Sequence, residues 1–145
     1  MHTNNTNSNA PNSELVNGKN TKLIYPDLSY RVTGVCFNVH NELGRYCREK
    51  QYADAVEKRL LDQHTKYKRE FRLSDFGNIF DFIVEDKIIL ELKAKTVVSK
   101  EDYYQLQRYL QSTKYKLGLL VNFRNRYIKP IRVIKIDTDA RKRFI

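Results

Sequence analysis

Cysteine is scarce in this chain and poorly placed for the chemistry it usually announces. The 145 residues hold two, Cys36 and Cys47, which form no CxxC pair and fall in segments that read as helical. Neither a zinc site nor a disulfide framework is supported, and a reducing cytoplasm fits. Long apolar runs are missing too: none approaches the roughly 18 residues of a membrane span, and no signal peptide precedes the domain. A soluble intracellular protein with no membrane role is expected. No internal repeat is visible, and no aromatic residue precedes Tyr25, a region in which seven of the first twenty positions are Asn. Residues 1–24 therefore read as a disordered Asn/Ser/Thr-rich tail, and residues 25–145 as a single domain with a modest core.

What the chain has in excess is positive charge. Lys and Arg total 27 against 17 Asp and Glu, a formal charge of +10. Such a surface attracts polyanions through counterion release, which makes nucleic acid the leading partner. The excess is uneven: residues 124–145 hold eight basic side chains, among them Arg124, Arg126 and Lys129, against Asp137 and Asp139, and so carry +6 of the +10.

Apolar spacing orders the rest. Leu28, Val32, Val35, Cys36, Val39 and Leu43 recur at helical intervals, entered through Pro26-Asp27 and closed at Gly44. A second helix is predicted from about Tyr46 to Gln63, with Tyr52, Ala53, Val56, Leu60 and Leu61 on its apolar face. Glu49 extends that stripe, so its carboxylate is expected to point inward, although the helix dipole alone also favours a first-turn glutamate. Three strand-like runs follow as an antiparallel meander, at about 66–73, 78–85 and 87–94, the first two linked by Ser74-Asp75-Phe76-Gly77. Ser99 and Asp102 resemble a capping box opening a third helix to about Tyr115. Lys116 to Phe123 suits a buried strand, and 130–136 a last, less regular one.

Two carboxylates and an amine stand inside the apolar strands. Glu91 and Lys93 share one face of their strand, Leu90 and Leu92 the other. Asp81 joins Glu91 only if the hairpin has an odd loop, Glu85-Asp86-Lys87, placing Val84 opposite Ile88 and Asp81 opposite Glu91. Such acids suit Mg²⁺ or Mn²⁺, and a nearby lysine can hold an attacking water or a developing phosphorane charge, which implies phosphodiester hydrolysis. A salt-bridge network on a wet sheet face would use the same residues. On the third helix Gln105 and Tyr109 lie four apart on one face and could hydrogen-bond a phosphate, a water or Lys93. His40, one residue past the core stripe, reaches the site only if its helix runs beside the sheet edge; His64 is expected to face solvent.

The order helix, helix, three strands, helix, strand, with Asp81, Glu91-Leu92-Lys93 and Gln105-x-x-x-Tyr109, resembles the PD-(D/E)XK nuclease superfamily. More narrowly it resembles the GxxExxY proteins through Glu49-Lys50-Gln51-Tyr52, with Tyr46 standing where that family has glycine. The resemblance covers nearly everything after residue 27. It implies a restriction-endonuclease-like α/β fold, a mixed central sheet flanked by helices in the order α-α-β-β-β-α-β-β. It also implies that Asp81 and Glu91, helped by Glu49 and the backbone carbonyl of Leu92, hold Mg²⁺ or Mn²⁺, and that Lys93 acts on the water. Gln105, Tyr109 and Tyr52 would position substrate, and the basic excess at the C-terminal end makes Arg124, Arg126 and Lys129 the expected contacts to the nucleic-acid backbone. The expected activity is a divalent-metal-dependent nuclease acting on DNA without strong sequence specificity. The alternative is a non-catalytic nucleic-acid-binding or accessory module. By analogy with related nucleases, a homodimer is the candidate assembly.

Overall fold

The computed structural model describes residues 24–72 and 79–136. The expected Asn-rich tail, the 74–77 link and the last basic residues, Arg141, Lys142 and Arg143, lie outside the described residues. Helix α1 (Pro26–Leu43) begins behind Tyr25, whose left-handed φ of 49° turns the chain into Pro26. It ends at Gly44, where φ is 78°, a conformation that costs glycine little. Helix α2 (Glu49–Asp62) starts three residues later than expected because the Arg48 N–H is taken by Gln51 Oε1 at 2.9 Å, which fixes Arg48 as the cap. Its buried face is Tyr52, Ala53, Val56 and Leu60; Leu61, assigned to that face from spacing, is 58% exposed.

Strands β1 (Tyr67–Arg72), β2 (Ile79–Val84), β3 (Ile88–Lys93), β4 (Leu117–Asn122) and β5 (Ile131–Ile134) form one sheet in the order β1-β2-β3-β4-β5. The first three make the expected antiparallel meander, β3 and β4 run parallel, and β5 returns antiparallel. The parallel crossover is helix α3 (Lys100–Gln111), opened by the capping box: the Ser99 N–H donates to Asp102 Oδ2 at 2.8 Å and the Asp102 N–H to Ser99 Oγ at 3.2 Å. α3 stops four residues short of Tyr115. The Ser112 and Thr113 hydroxyls both donate to the Tyr109 carbonyl, at 3.0 and 3.1 Å, and the chain turns away.

Helices α1 and α2 cover one sheet face through Phe82, Val84, Leu90, Leu92, Leu119 and Val121. α3 covers the other through Ile83, Ile89, Leu106, Leu110 and Leu120. Close approach of α3 depends on Gly118, where an added Cβ would stand 2.8 Å from Leu106 Cδ2. α2 is tied to the edge strand by Arg69, 2.8 Å from Asp54 and 2.7 Å from Glu57, while the Tyr67 hydroxyl donates to Glu57 at 2.6 Å.

The pleat does not alternate along the whole β1–β2 pair. Tyr67 packs with the α1–α2 core and Arg69 lies over Phe82, yet Phe71, two residues on, packs with the α3 core. Phe80 likewise joins the α3 core, although Phe82 faces the opposite way. The break coincides with Glu70, whose φ is 53° and which the register sets opposite Asp81. A left-handed residue in a strand rotates everything beyond it.

Candidate active site

Register decides whether the acids meet. Val84 pairs with Ile88, Ile83 with Ile89 and Phe82 with Leu90, so the next step sets Asp81 against Glu91 as the odd loop requires. The turn is closed by the Lys87 N–H donating to Val84 O at 3.0 Å, with φ of 54° at Glu85 and 53° at Asp86. Two successive positive φ values are the type I′ signature that matches strand twist. At the other end the acid side chains replace the backbone ladder: the Leu92 N–H donates to Asp81 Oδ2 at 2.7 Å, and the Asp81 N–H to Glu91 Oε1 at 3.3 Å. The Lys93 carbonyl accepts from Phe123 N–H in the β4 direction at 2.8 Å, so the peptide groups of Leu92 face β2, toward Asp81.

Burial sets the charge state of this pair. The Glu91 side chain is 18% exposed, and its pKa is pushed up to about 8, first by desolvation and then by the Asp81 carboxylate, against the pull of Lys93. Lys93 Nζ stands 3.3 Å from Glu91 Oε2 and 3.9 Å from Asp102 Oδ1. Desolvation alone would lower the lysine's pKa, but Glu91, Asp102 and Glu49 together hold it above its ordinary value. The ammonium is thus a fixed cation beside a carboxyl held partly against its will.

Asp102 was legible as a helix cap but not as part of this cluster. It also binds Lys95 at 2.5 Å, and burial, which would raise its pKa, is outweighed by Lys95 and the Ser99 donors, which hold it low. Asn122, buried at the end of β4, accepts from the Lys95 N–H at 3.1 Å and donates to the Lys95 carbonyl at 2.7 Å. That two-way bond locks the segment after Lys93. Nothing in the spacing of Asn122 pointed to this role.

The remaining candidates divide. Glu49 is exposed at the first position of α2, contrary to its expected inward aim, yet its charge still acts on Lys93. Gln105 is half-buried one turn beyond Asp102. Tyr109 is buried, its ring centroid 4.1 Å from that of Phe80, and its hydroxyl has no hydrogen-bond partner among the described residues. Its ring belongs to the core and not to an open substrate surface. Tyr52 corrects the expectation most clearly: it is wholly buried, stacks on Phe123 at 4.3 Å, and its hydroxyl donates to Gly44 O at 2.6 Å and accepts from Cys47 N–H at 3.2 Å. It builds the α1–α2 turn and cannot touch a substrate there. His40 is spent as well, its Nε2 donating to the Asn125 carbonyl at 2.9 Å. Arg126 and Lys129 are exposed and Arg124 half-buried, all on the loop after β4. His64 faces solvent as expected, and both cysteines are free.

Among the described residues no group of three or more His, Cys, Asp or Glu gathers to hold a metal. The available donor set is narrower: the Asp81 and Glu91 carboxylates, with the Leu92 carbonyl on the same side. Hard oxygen donors, one of them held protonated by burial first and by its neighbour's charge second, fit a divalent ion that keeps several waters. No helix among the described residues is long and apolar enough to cross a membrane. No curated protein and no solved structure matches the chain. The family model of the PD-(D/E)XK nuclease superfamily, however, matches residues 26–134, a span from the start of α1 to the end of β5 that holds the paired acids and the lysine in register. The chain belongs to the PD-(D/E)XK nuclease superfamily.

Proposed function

We propose that this protein is a divalent-metal-dependent nuclease that hydrolyses phosphodiester bonds in DNA without strong sequence specificity. The observation that carries the reading is the Asp81–Glu91 pair with Lys93 3.3 Å from Glu91, three groups of the right kind at the end of one hairpin. Members of the superfamily typically use divalent metals, and the two acids with the Leu92 carbonyl would hold Mg²⁺ or Mn²⁺. That ion, when bound, supplies Lewis acidity toward a phosphoryl oxygen and a more acidic water. Lys93, held charged by its neighbours, orients the attacking water and offsets the negative charge that develops on phosphorus. Gln105 contributes to substrate placement, and Arg124, Arg126 and Lys129 supply phosphate contacts that carry no base information. A cytoplasmic location and a homodimer belong to the same proposal.

The exposed Glu49 favours a second reading, a module that keeps the fold and basic surface but binds without cutting. Cleavage of labelled single-stranded, double-stranded and branched DNA, with RNA alongside, in Mg²⁺, Mn²⁺ or EDTA separates the two. The nuclease reading expects metal-dependent cleavage that Lys93→Ala reduces by about two to three orders of magnitude. Salt-sensitive binding with no cleavage in any metal would replace it by the second reading.

A further inference from the structure

The turn between α1 and α2 and the loop after β4 meet at one edge of the candidate site. Residues 44–48 and 123–130 carry Arg45, Arg48, Arg124, Arg126 and Lys129 and no acidic residue. The two segments are bound reciprocally: Arg45 Nε donates to Arg124 O at 2.9 Å, and Arg124 Nε to Arg45 O at 3.0 Å. His40 pins the same loop through Asn125, and Ile128 anchors it in the core. This is a built platform, made by fixed side chains.

The platform presents aromatic rings. The Arg45 guanidinium carbon lies 5.0 Å from the Tyr46 ring centroid and that of Arg124 5.7 Å from it, yet 76% of Tyr46 remains open to solvent. On the neighbouring loop Arg126 lies 5.4 Å from the ring of Tyr127, which is 78% exposed. Large apolar rings held outward at this cost in hydration, each with a guanidinium beside it, match the pairing of stacking faces and cations that grips bases and phosphates together. The location is also right, because Phe123 bonds directly to the Lys93 carbonyl and Arg48 immediately precedes Glu49.

We infer that Tyr46, flanked by Arg45 and Arg124, is a base-stacking platform that makes unpaired nucleotides the preferred substrate, with Tyr127 as a second stacking position. The inference rests on the nuclease reading for its word substrate, but not for binding. A base in a duplex has both faces covered by its neighbours, so an exposed ring gains from it only where the strand is open. The sugar matters little to stacking, so DNA and RNA strands share the recognition chemistry, and the assay separates them.

The test is fluorescence anisotropy in EDTA with the full chain, using a single-stranded DNA, a single-stranded RNA and a blunt DNA duplex of equal length. Because Tyr46 is exposed, Tyr46→Ala is expected to keep the wild-type circular dichroism spectrum and melting temperature. It should weaken binding of the preferred single strand by about tenfold and of the duplex by less than about twofold, and Tyr46→Phe should stay within about twofold of wild type. Tyr127→Ala should give a smaller loss with the same strand selectivity. Unchanged single-strand affinity in Tyr46→Ala, an equal loss on the duplex, or no binding of any strand would overturn the inference. Cleavage is measured separately in Mg²⁺: Tyr46-dependent binding without cleavage defeats the nuclease reading alone, and cleavage indifferent to Tyr46 on open strands defeats the platform alone.

Discussion

Replacing Glu91 by Gln should abolish cleavage and at the same time stabilise the metal-free protein at alkaline pH. In the folded, metal-free chain Glu91 holds its proton up to about pH 8, whereas its ordinary value is 4.5. A group whose pKa is raised by folding contributes fully below the unfolded value and loses that contribution as pH climbs through the folded one. Wild-type stability should therefore fall between about pH 4.5 and 8 on account of this residue. The full displacement corresponds to a ceiling of about 5 kcal/mol. Residual solvent contact at a side chain 18% exposed reduces the expected loss to about 2–3 kcal/mol, the pull of Lys93 being already contained in the raised value. Lys93 does not confuse the window, since its own pKa is raised and it stays charged throughout.

Gln is close in shape to neutral Glu and cannot ionise, so Glu91→Gln and wild type should be about equally stable at pH 5. In urea unfolding at pH 8 with EDTA the variant should be the more stable by about 2–3 kcal/mol. Saturating Mg²⁺ should recover the wild type through mass action on the folded state and leave the variant unmoved. Parallel pH profiles for the two proteins, or a variant less stable at pH 8, would refute the argument that the acids form a strained pair awaiting a cation.

Three further outcomes follow from packing. Gly118→Ala places a methyl 2.8 Å from Leu106 and should cost about 1–3 kcal/mol by thermal melting. Tyr52→Phe loses the bonds to Gly44 and Cys47 and should destabilise by about 1–3 kcal/mol, with KM for an oligonucleotide unchanged. A raised KM without loss of stability would restore a substrate role. Glu70→Gly should be at least as stable as Glu70→Ala, because only glycine relieves a φ of 53°. The reverse order, which strand propensity alone predicts, would show that the strand is not turned there.

Local rules reached much of this molecule because they agree with one another. The Pro26 entry and Gly44 exit of α1, the Ser99–Asp102 box and the odd loop of the hairpin each restrict a few torsions, and the structure places them as the sequence indicates. The hairpin mattered most, since loop parity alone put Asp81 across from Glu91. Glu49 was misread for a geometric reason. Spacing places it on the stripe of Tyr52 and Val56, but it is the first residue of α2, and the stripe is covered only from Tyr52 onward. Tyr52 was misread because its stacking partner, Phe123, is seventy-one positions away, and no local rule foretells that contact.

The least legible feature bears most on the site. Alternation is a rule about a strand whose residues all keep extended torsions, and taken alone it would put Phe80 and Phe82 on one face. Glu70 breaks it with a single left-handed residue, and beyond that point Phe71 and Phe80 roll onto α3, where Phe80 meets Tyr109. The Asp81 carboxylate lies at the pivot. Half-buried there, it accepts from the Leu92 N–H in place of a backbone carbonyl. The left-handed turn at Glu70 and the change of face of Phe71 and Phe80 are in this sense one event, and a sequence read two residues at a time has no means of seeing it.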